Sequence, residues 1–196
     1  MKKAPGQDTY GKILDIAERL VQTQGYNGFS YADISDELSI KKASLHHHFP
    51  TKALLGKALI VRYEANFLQV LADIRHRTSS VPEQLAAYMK IYSGVLRKNR
   101  MCLCGMLAAD FETLPPAMRL QVRHFFKENE AWLAQRLEEG KADGTISFRG
   151  STRTVAGYIV SALEGAMLLA RSFGKPAHFD ATTQMLLDEL VVRSER

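Results

Sequence analysis

Residues 30–55 read SYADISDELSIKKASLHHHFPTKALL. Ser30 can cap a helix, and Asp33, three residues on, places a negative charge where the first turn leaves N–H groups open. Ala32, Ile34, Ser35 and Leu38 give that short helix one apolar side. Ser39-Ile40-Lys41 interrupts it with a polar break. A second short helix follows from Lys42 to Phe49, and Pro50 stops it, since proline cannot continue the ladder. Two short helices joined by a tight turn form a helix-turn-helix over about 31–50. Ile34, Leu38, Ile40, Leu45 and Phe49 would be its core.

The second helix turns Lys41, Lys42, Ser44, His46 and His47 outward. No acidic residue lies between Lys41 and Lys52. A short acid-free helix bearing hydroxyl, imidazole and ammonium groups can enter a major groove. The plainer alternative is the solvated basic end of a helix in some bundle.

At these residues the chain resembles the TetR (tetracycline repressor) family of transcriptional regulators. The family tail Phe-Pro-Ser/Thr-Lys-x-x-Leu reads here Phe49-Pro50-Thr51-Lys52-Ala53-Leu54-Leu55, after His47-His48. The family's first helix corresponds to Ile13-Leu14-Asp15-Ile16-Ala17-Glu18-Arg19-Leu20-Val21, ending at Gly25-Tyr26, with Phe29-Ser30 beyond. The resemblance covers about residues 10–60. Ser39 stands where the family turn usually has Gly, Ala43 where the recognition helix often has Gly, and His46 at an aromatic Tyr position.

The resemblance implies an all-α chain. An N-terminal three-helix helix-turn-helix DNA-binding domain (1–52) would join a larger C-terminal helical domain for ligand binding and dimerisation (53–196). Lys41, Lys42, Ala43, Ser44, His46 and His47 would form the DNA face, with Tyr31, Thr51 and Lys52 on phosphates. The last two helices would form a homodimer interface. One recognition helix reads only a few base pairs, so a dimer on palindromic double-stranded operator DNA has a physical rationale.

Composition agrees with a folded regulator. The chain has 196 residues, 46% hydrophobic and 24% charged, with net charge +5. Residues 1–62 hold nine Lys/Arg against six Asp/Glu, so the basic excess leans toward the N-terminal third. That charge suits phosphate contact. No uninterrupted apolar run reaches about 18 residues, so no membrane span is expected. Met1-Lys2-Lys3-Ala4-Pro5-Gly6 lacks an apolar run behind its lysines and reads as a basic arm, not a secretory signal. Two cysteines two positions apart are no disulfide framework, which points to a reducing cytoplasm.

Helical periodicity runs through the chain. Asp8 or Thr9 can cap a first helix with Ile13, Leu14, Ile16, Ala17, Leu20 and Val21 inside. A long fourth helix starts at Lys52 and runs into the seventies. Helices are expected over 82–98, 102–112, 118–142, 152–173 and about 180–192, with 145–148 extended. Apolar residues and alanines surround most of the 152–173 helix, enough surface for its own domain and a partner.

His46-His47-His48 is a poor metal site. Successive helical residues point roughly 100° apart, so three in a row cannot face one ion. No metal or cofactor is expected. Cys102 and Cys104 lie roughly 200° apart on a helix, which disfavours a disulfide between them. They read either as small buried hydrophobes or as a sensor thiol, given Arg97, Lys98 and Arg100 before them. The run Cys102–Ala109, an acid, then Leu114-Pro115 also resembles a regulatory-domain pattern from one branch of the family.

A ligand pocket in the second domain is implied by the resemblance. Its candidate residues are Met89, Tyr92, Met106, Phe111, Phe125, Trp132 and Tyr158, with the lone carboxylates Asp110 and Glu164 in apolar runs. The same residues equally suit a helical core. Asp110 would anchor a mostly apolar inducer that releases a repressor from its operator. The alternative is a redox-switched regulator using Cys102 or Cys104. An enzyme is not expected, because no nucleophile-base-acid set, phosphate-binding glycine loop or two-histidine metal motif appears.

Overall fold

The computed structural model describes residues 5–192. Met1 to Ala4, most of the expected basic arm, lie outside the described residues. Among the described residues nine α-helices follow in order: α1 Pro5–Gln24, α2 Tyr31–Leu38, α3 Lys42–His48, α4 Lys52–Arg77, α5 Val81–Leu96, α6 Leu103–Ala109, α7 Pro116–Ala142, α8 Thr152–Ser172 and α9 Pro176–Leu190. The expected extended stretch at 145–148 amounts to one antiparallel bridge, Ile146 to Val191. The first helix begins at Pro5, so Asp8 and Thr9 lie within it and do not cap it. Proline suits a first turn, whose N–H groups are unpaired anyway.

The chain divides into two compact units. Of the described residues, the first holds 5–66 and 102–124, the second 67–101 and 125–192. The expected boundary at 52/53 falls inside the first unit. α4 and α7 each supply residues to both units, and α6 belongs with the helix-turn-helix.

In the first unit the apolar stripe of α1 is inside as its spacing requires: Ile13, Ala17 and Val21 have no exposed surface. Ile34 of α2 and Leu45 of α3 are also fully buried, and Phe49 is 3% exposed. Leu38 and Ile40, expected in that small core, are only half-buried. Arg62 on α4 pairs with Asp15 at 2.7 Å and Glu18 at 2.9 Å on α1. Gly56 permits a close approach, since a Cβ there would come within 2.5 Å of the Met118 sulfur.

The second unit is a bundle of α5, α8, α9 and the adjoining halves of α4 and α7. α8 is long and apolar enough to cross a membrane by length and composition alone. Eight of its residues, from Val155 to Ala170, are buried within the bundle, which is how a core helix passes the same test.

Candidate nucleic-acid interface

Local hydrogen bonding builds the helix-turn-helix. Ser30 is extended and its Oγ accepts the Ala32 N–H at 3.2 Å. The Asp33 carboxylate reaches back to the Ser30 N–H at 2.6 Å and its hydroxyl at 2.9 Å. This reciprocal capping box fixes the start of α2. Those bonds hold the Asp33 carboxyl below its usual range, the backbone N–H of Ser30 contributing most.

The turn is a Schellman arrangement. Ser39 N–H donates to Asp36 O at 3.2 Å, and Ile40 N–H to Ser35 O at 3.0 Å. Ser39 takes the left-handed conformation, φ 54° and ψ 39°. This is the glycine position of the resembled family, filled here by a residue with a Cβ.

α3 then presents one face to solvent. Lys41, Lys42, Ala43, Ser44, His46, His47 and Thr51 are all exposed, while Leu45 between them is buried. Lys41 and Lys42 form no ion pair among the described residues, unlike Arg19, which pairs with Glu37, and Arg62. The face therefore keeps its two ammonium groups available. His46 packs on Tyr31, ring centroids 4.8 Å apart, and its Nδ1 lies 3.3 Å from Pro50 O. His48 is half-buried beside the edge of Tyr10.

Two residues expected on phosphates are occupied. The Tyr31 hydroxyl donates to Phe49 O at 2.8 Å, and burial, with Tyr26 nearby, pushes its pKa up to about 12. The Lys52 ammonium donates to Tyr26 O at 2.6 Å and also to Phe29 O. It sits over both rings, 4.6 Å from Tyr26 and 4.2 Å from Phe29. Burial lowers its pKa, opposed by the charges of Asp33 and Asp110. Lys52 thus pins the loop between α1 and α2 from inside.

Asp110 pins the same loop. Its Oδ2 accepts the Tyr26 N–H at 2.7 Å. Gly25 has φ +81°, and a Cβ there would stand 2.9 Å from that oxygen. Asn27 Nδ2 donates to Thr113 Oγ1 at 2.8 Å. The residue expected to anchor an inducer therefore belongs to the helix-turn-helix unit.

The other expected pocket residues divide. Met106 and Phe111 lie with Asp110 in the first unit. Met89, Tyr92, Phe125 and Trp132 lie in the second, the first three buried. Tyr158 is 57% exposed on α8, and Glu164 is half-buried on the same helix. Cys102 and Cys104 are free thiols, 3% and 0% exposed. Cys102 Sγ accepts the Gly105 N–H at 3.4 Å and lies 4.0 Å from the Tyr63 hydroxyl. Among the described residues no three metal-ligating side chains come together.

A capped helix-turn-helix with an exposed basic second helix, joined to a separate helical bundle, defines a helical DNA-binding regulator. Residues 13–59 match the bacterial regulatory proteins of the tetR family, and residues 81–186 match the tetracyclin repressor-like C-terminal domain. The chain belongs to the TetR family of transcriptional regulators. A TetR-family regulator from Agrobacterium tumefaciens has 35% identity and a TM-score of 0.92, covering 95% of this chain and 100% of that one. A TetR regulator from Legionella pneumophila has 33% identity and a TM-score of 0.86, covering 97% and 100%. The HTH-type transcriptional repressor NemR of Escherichia coli K12 is 25% identical over 175 residues, 87% of this chain and 88% of that protein.

Proposed function

We propose that this protein is a cytoplasmic homodimeric repressor whose α3 enters the major groove of palindromic operator DNA. The exposed, acid-free face of α3, with Lys41 before it and Lys42 on it in no ion pair among the described residues, carries this reading. Lys42, Ser44, His46 and His47 are positioned to contact base edges or backbone, and Lys41 and Thr51 to contact phosphates. Tyr31 and Lys52 act behind them, holding Phe49, Tyr26 and Phe29 in place. Two such helices related by a two-fold axis would match two half-sites.

The partner surface is supplied by α8 and α9. Leu168 and Leu169 on α8, Phe173 at its C-cap and Met185 on α9 are 48–65% exposed. Side chains of that size left in water on adjacent helices favour a second copy. The inducer is a small, mostly apolar molecule held in the second unit among Met89, Tyr92, Phe125 and Trp132. Its binding would shift the equilibrium between DNA-competent and released states, with α4 as the continuous element that supplies both units.

A thiol switch is the second reading. The N–H of Gly105 and the hydroxyl of Tyr63 at Cys102 Sγ would stabilise a thiolate. Its burial slows any oxidant. A gel shift with DNA flanking the protein's own coding region, with and without peroxide, separates the two. Retention of a specific shift under peroxide supports the ligand-gated reading.

A further inference from the structure

Matched levels join α5 to α7 in the second unit. Tyr92 accepts a hydrogen bond from Asn129 Nδ2 at 2.9 Å, and Tyr88 donates to Asn129 Oδ1 at 2.7 Å. Tyr88 stacks on Trp132 with ring centroids 5.5 Å apart and planes 20° from parallel. Further along, a Cβ on Gly140 would stand 2.9 Å from Val81. The two helices therefore run antiparallel. Gln84 lies one turn before Tyr88 on α5, and Arg136 one turn after Trp132 on α7.

Polar pairing is complete at the Tyr88–Asn129 level and fails at the next. Arg136 is 1% exposed, and its Nη2 donates to Glu139 at 2.7 Å, yet its Nε–H has no partner among the described residues. The Trp132 indole N–H has none either. Gln84 is 3% exposed and donates through Nε2 to Thr78 O at 2.8 Å, which leaves its Oε1 unmatched. The Arg136 guanidinium carbon lies 5.8 Å from the Trp132 ring centroid. Two buried donors and one buried acceptor thus stand unpaired on one helix pair, where folded proteins leave few such groups. Burial, with Arg75 nearby, lowers the Arg136 pKa, opposed by the Glu139 counter-charge.

We propose that this level binds the head of a small 2-hydroxy acid with an apolar body. One carboxylate oxygen would accept from Arg136 Nε and the other from Trp132 Nε1. The neighbouring hydroxyl would donate to Gln84 Oε1. The body would lie along the Tyr88 and Phe67 rings, themselves edge-to-face at 6.4 Å. The carboxylate fills both empty donors, which a neutral hydrocarbon does not. Arg136 is absent from the residues that sequence patterning selects, because Gln135-Arg136-Leu137-Glu138-Glu139 reads as a solvated stretch.

The inference rests on the reading that the second unit takes the inducer. Trp132 is the chain's single tryptophan, so its fluorescence reports the site directly. The probes are mandelate, salicylate and 2-hydroxyhexanoate, with mandelamide and phenylacetate as controls. At least one acid should give a saturable change. Mandelamide, which lacks the charge, and phenylacetate, which lacks the hydroxyl, should each bind at least tenfold more weakly than mandelate. Arg136→Lys keeps the charge but loses the Nε donor and should weaken binding tenfold or more. If Arg136→Lys does not fold, Trp132→Phe, read by calorimetry, removes only the indole donor and should show the same loss. No saturable response to any acid, or equal binding of mandelate and mandelamide, overturns the proposal. Acid binding that leaves DNA affinity unchanged upholds the site and counts instead against its role in induction.

Discussion

The Asp110 carboxylate accepts the backbone N–H of Tyr26 at 2.7 Å, across 84 residues of sequence. It ties the end of α6 to the loop that leads into the helix-turn-helix. Asp110→Ala leaves that N–H without its acceptor, at a cost of about 1–3 kcal/mol. Chemical denaturation should show this loss, together with weaker DNA binding. Asp110→Asn keeps an acceptor oxygen and should recover most of both. An Asp110→Ala protein of unchanged stability but weaker inducer binding would return the carboxylate to ligand contact.

Lys52 holds the same loop from the other side, through Tyr26 O and Phe29 O. Lys52→Ala removes two charge-assisted bonds and should destabilise the first unit by about 2 kcal/mol. Salt-dependent DNA titrations distinguish the roles. A phosphate contact would lower the slope of log affinity against log salt by about one. A loop clamp should lower affinity at all salt concentrations and leave the slope unchanged.

Much of this unit is legible in the sequence. The α1 stripe, the Ser30–Asp33 box and the stop at Pro50 are local, and each falls where periodicity and capping chemistry put it. What escapes is tertiary. Asp110 stands alone in an apolar run, and nothing local announces a backbone amide 84 residues earlier as its partner. Lys52 sits in a basic stretch and reads as a surface charge, because the carbonyls that receive it converge only in the fold. The membership of residues 102–124 in the first unit is likewise invisible, since a buried short helix carries no address.

Ser39 occupies a left-handed position at φ 54°. That conformation costs an L-residue roughly 1–2 kcal/mol, which glycine avoids at some loss of chain entropy. Ser39→Gly should raise stability by about 0.5–1 kcal/mol, seen as a higher melting temperature, with DNA affinity unchanged. A lower melting temperature would mean that the Ser39 side chain itself holds the turn.

Acid sensitivity should trace to the capping box. The Asp33 pKa is depressed by its bonds to Ser30, so the stabilisation is full above the ordinary carboxylate pKa of 3.8. It is lost as pH falls through the lower folded value. Asp33→Asn should flatten that part of the stability–pH curve between about pH 5 and pH 2. An identical curve would remove Asp33 from the acid transition.

Assembly is tested best at exposed positions. Ala166 is only 5% exposed, so a charge placed there would damage its own bundle before any interface. Met185, at 65%, is the cleaner probe. Met185→Glu combined with Leu169→Glu should sediment as a folded monomer at micromolar concentration and bind DNA poorly. A double variant that stays dimeric would move the interface off α8 and α9.

DNA reading by the outer face of α3 is tested most directly by the affinity of Lys42→Ala/His47→Ala for a duplex selected by the wild-type protein from a random pool, measured by fluorescence anisotropy. Both side chains are exposed and away from the core, so the variant should fold normally. Its affinity should fall at least tenfold, with preference for the selected duplex over a scrambled one largely lost. Wild-type affinity and preference in the folded double variant would contradict the claim.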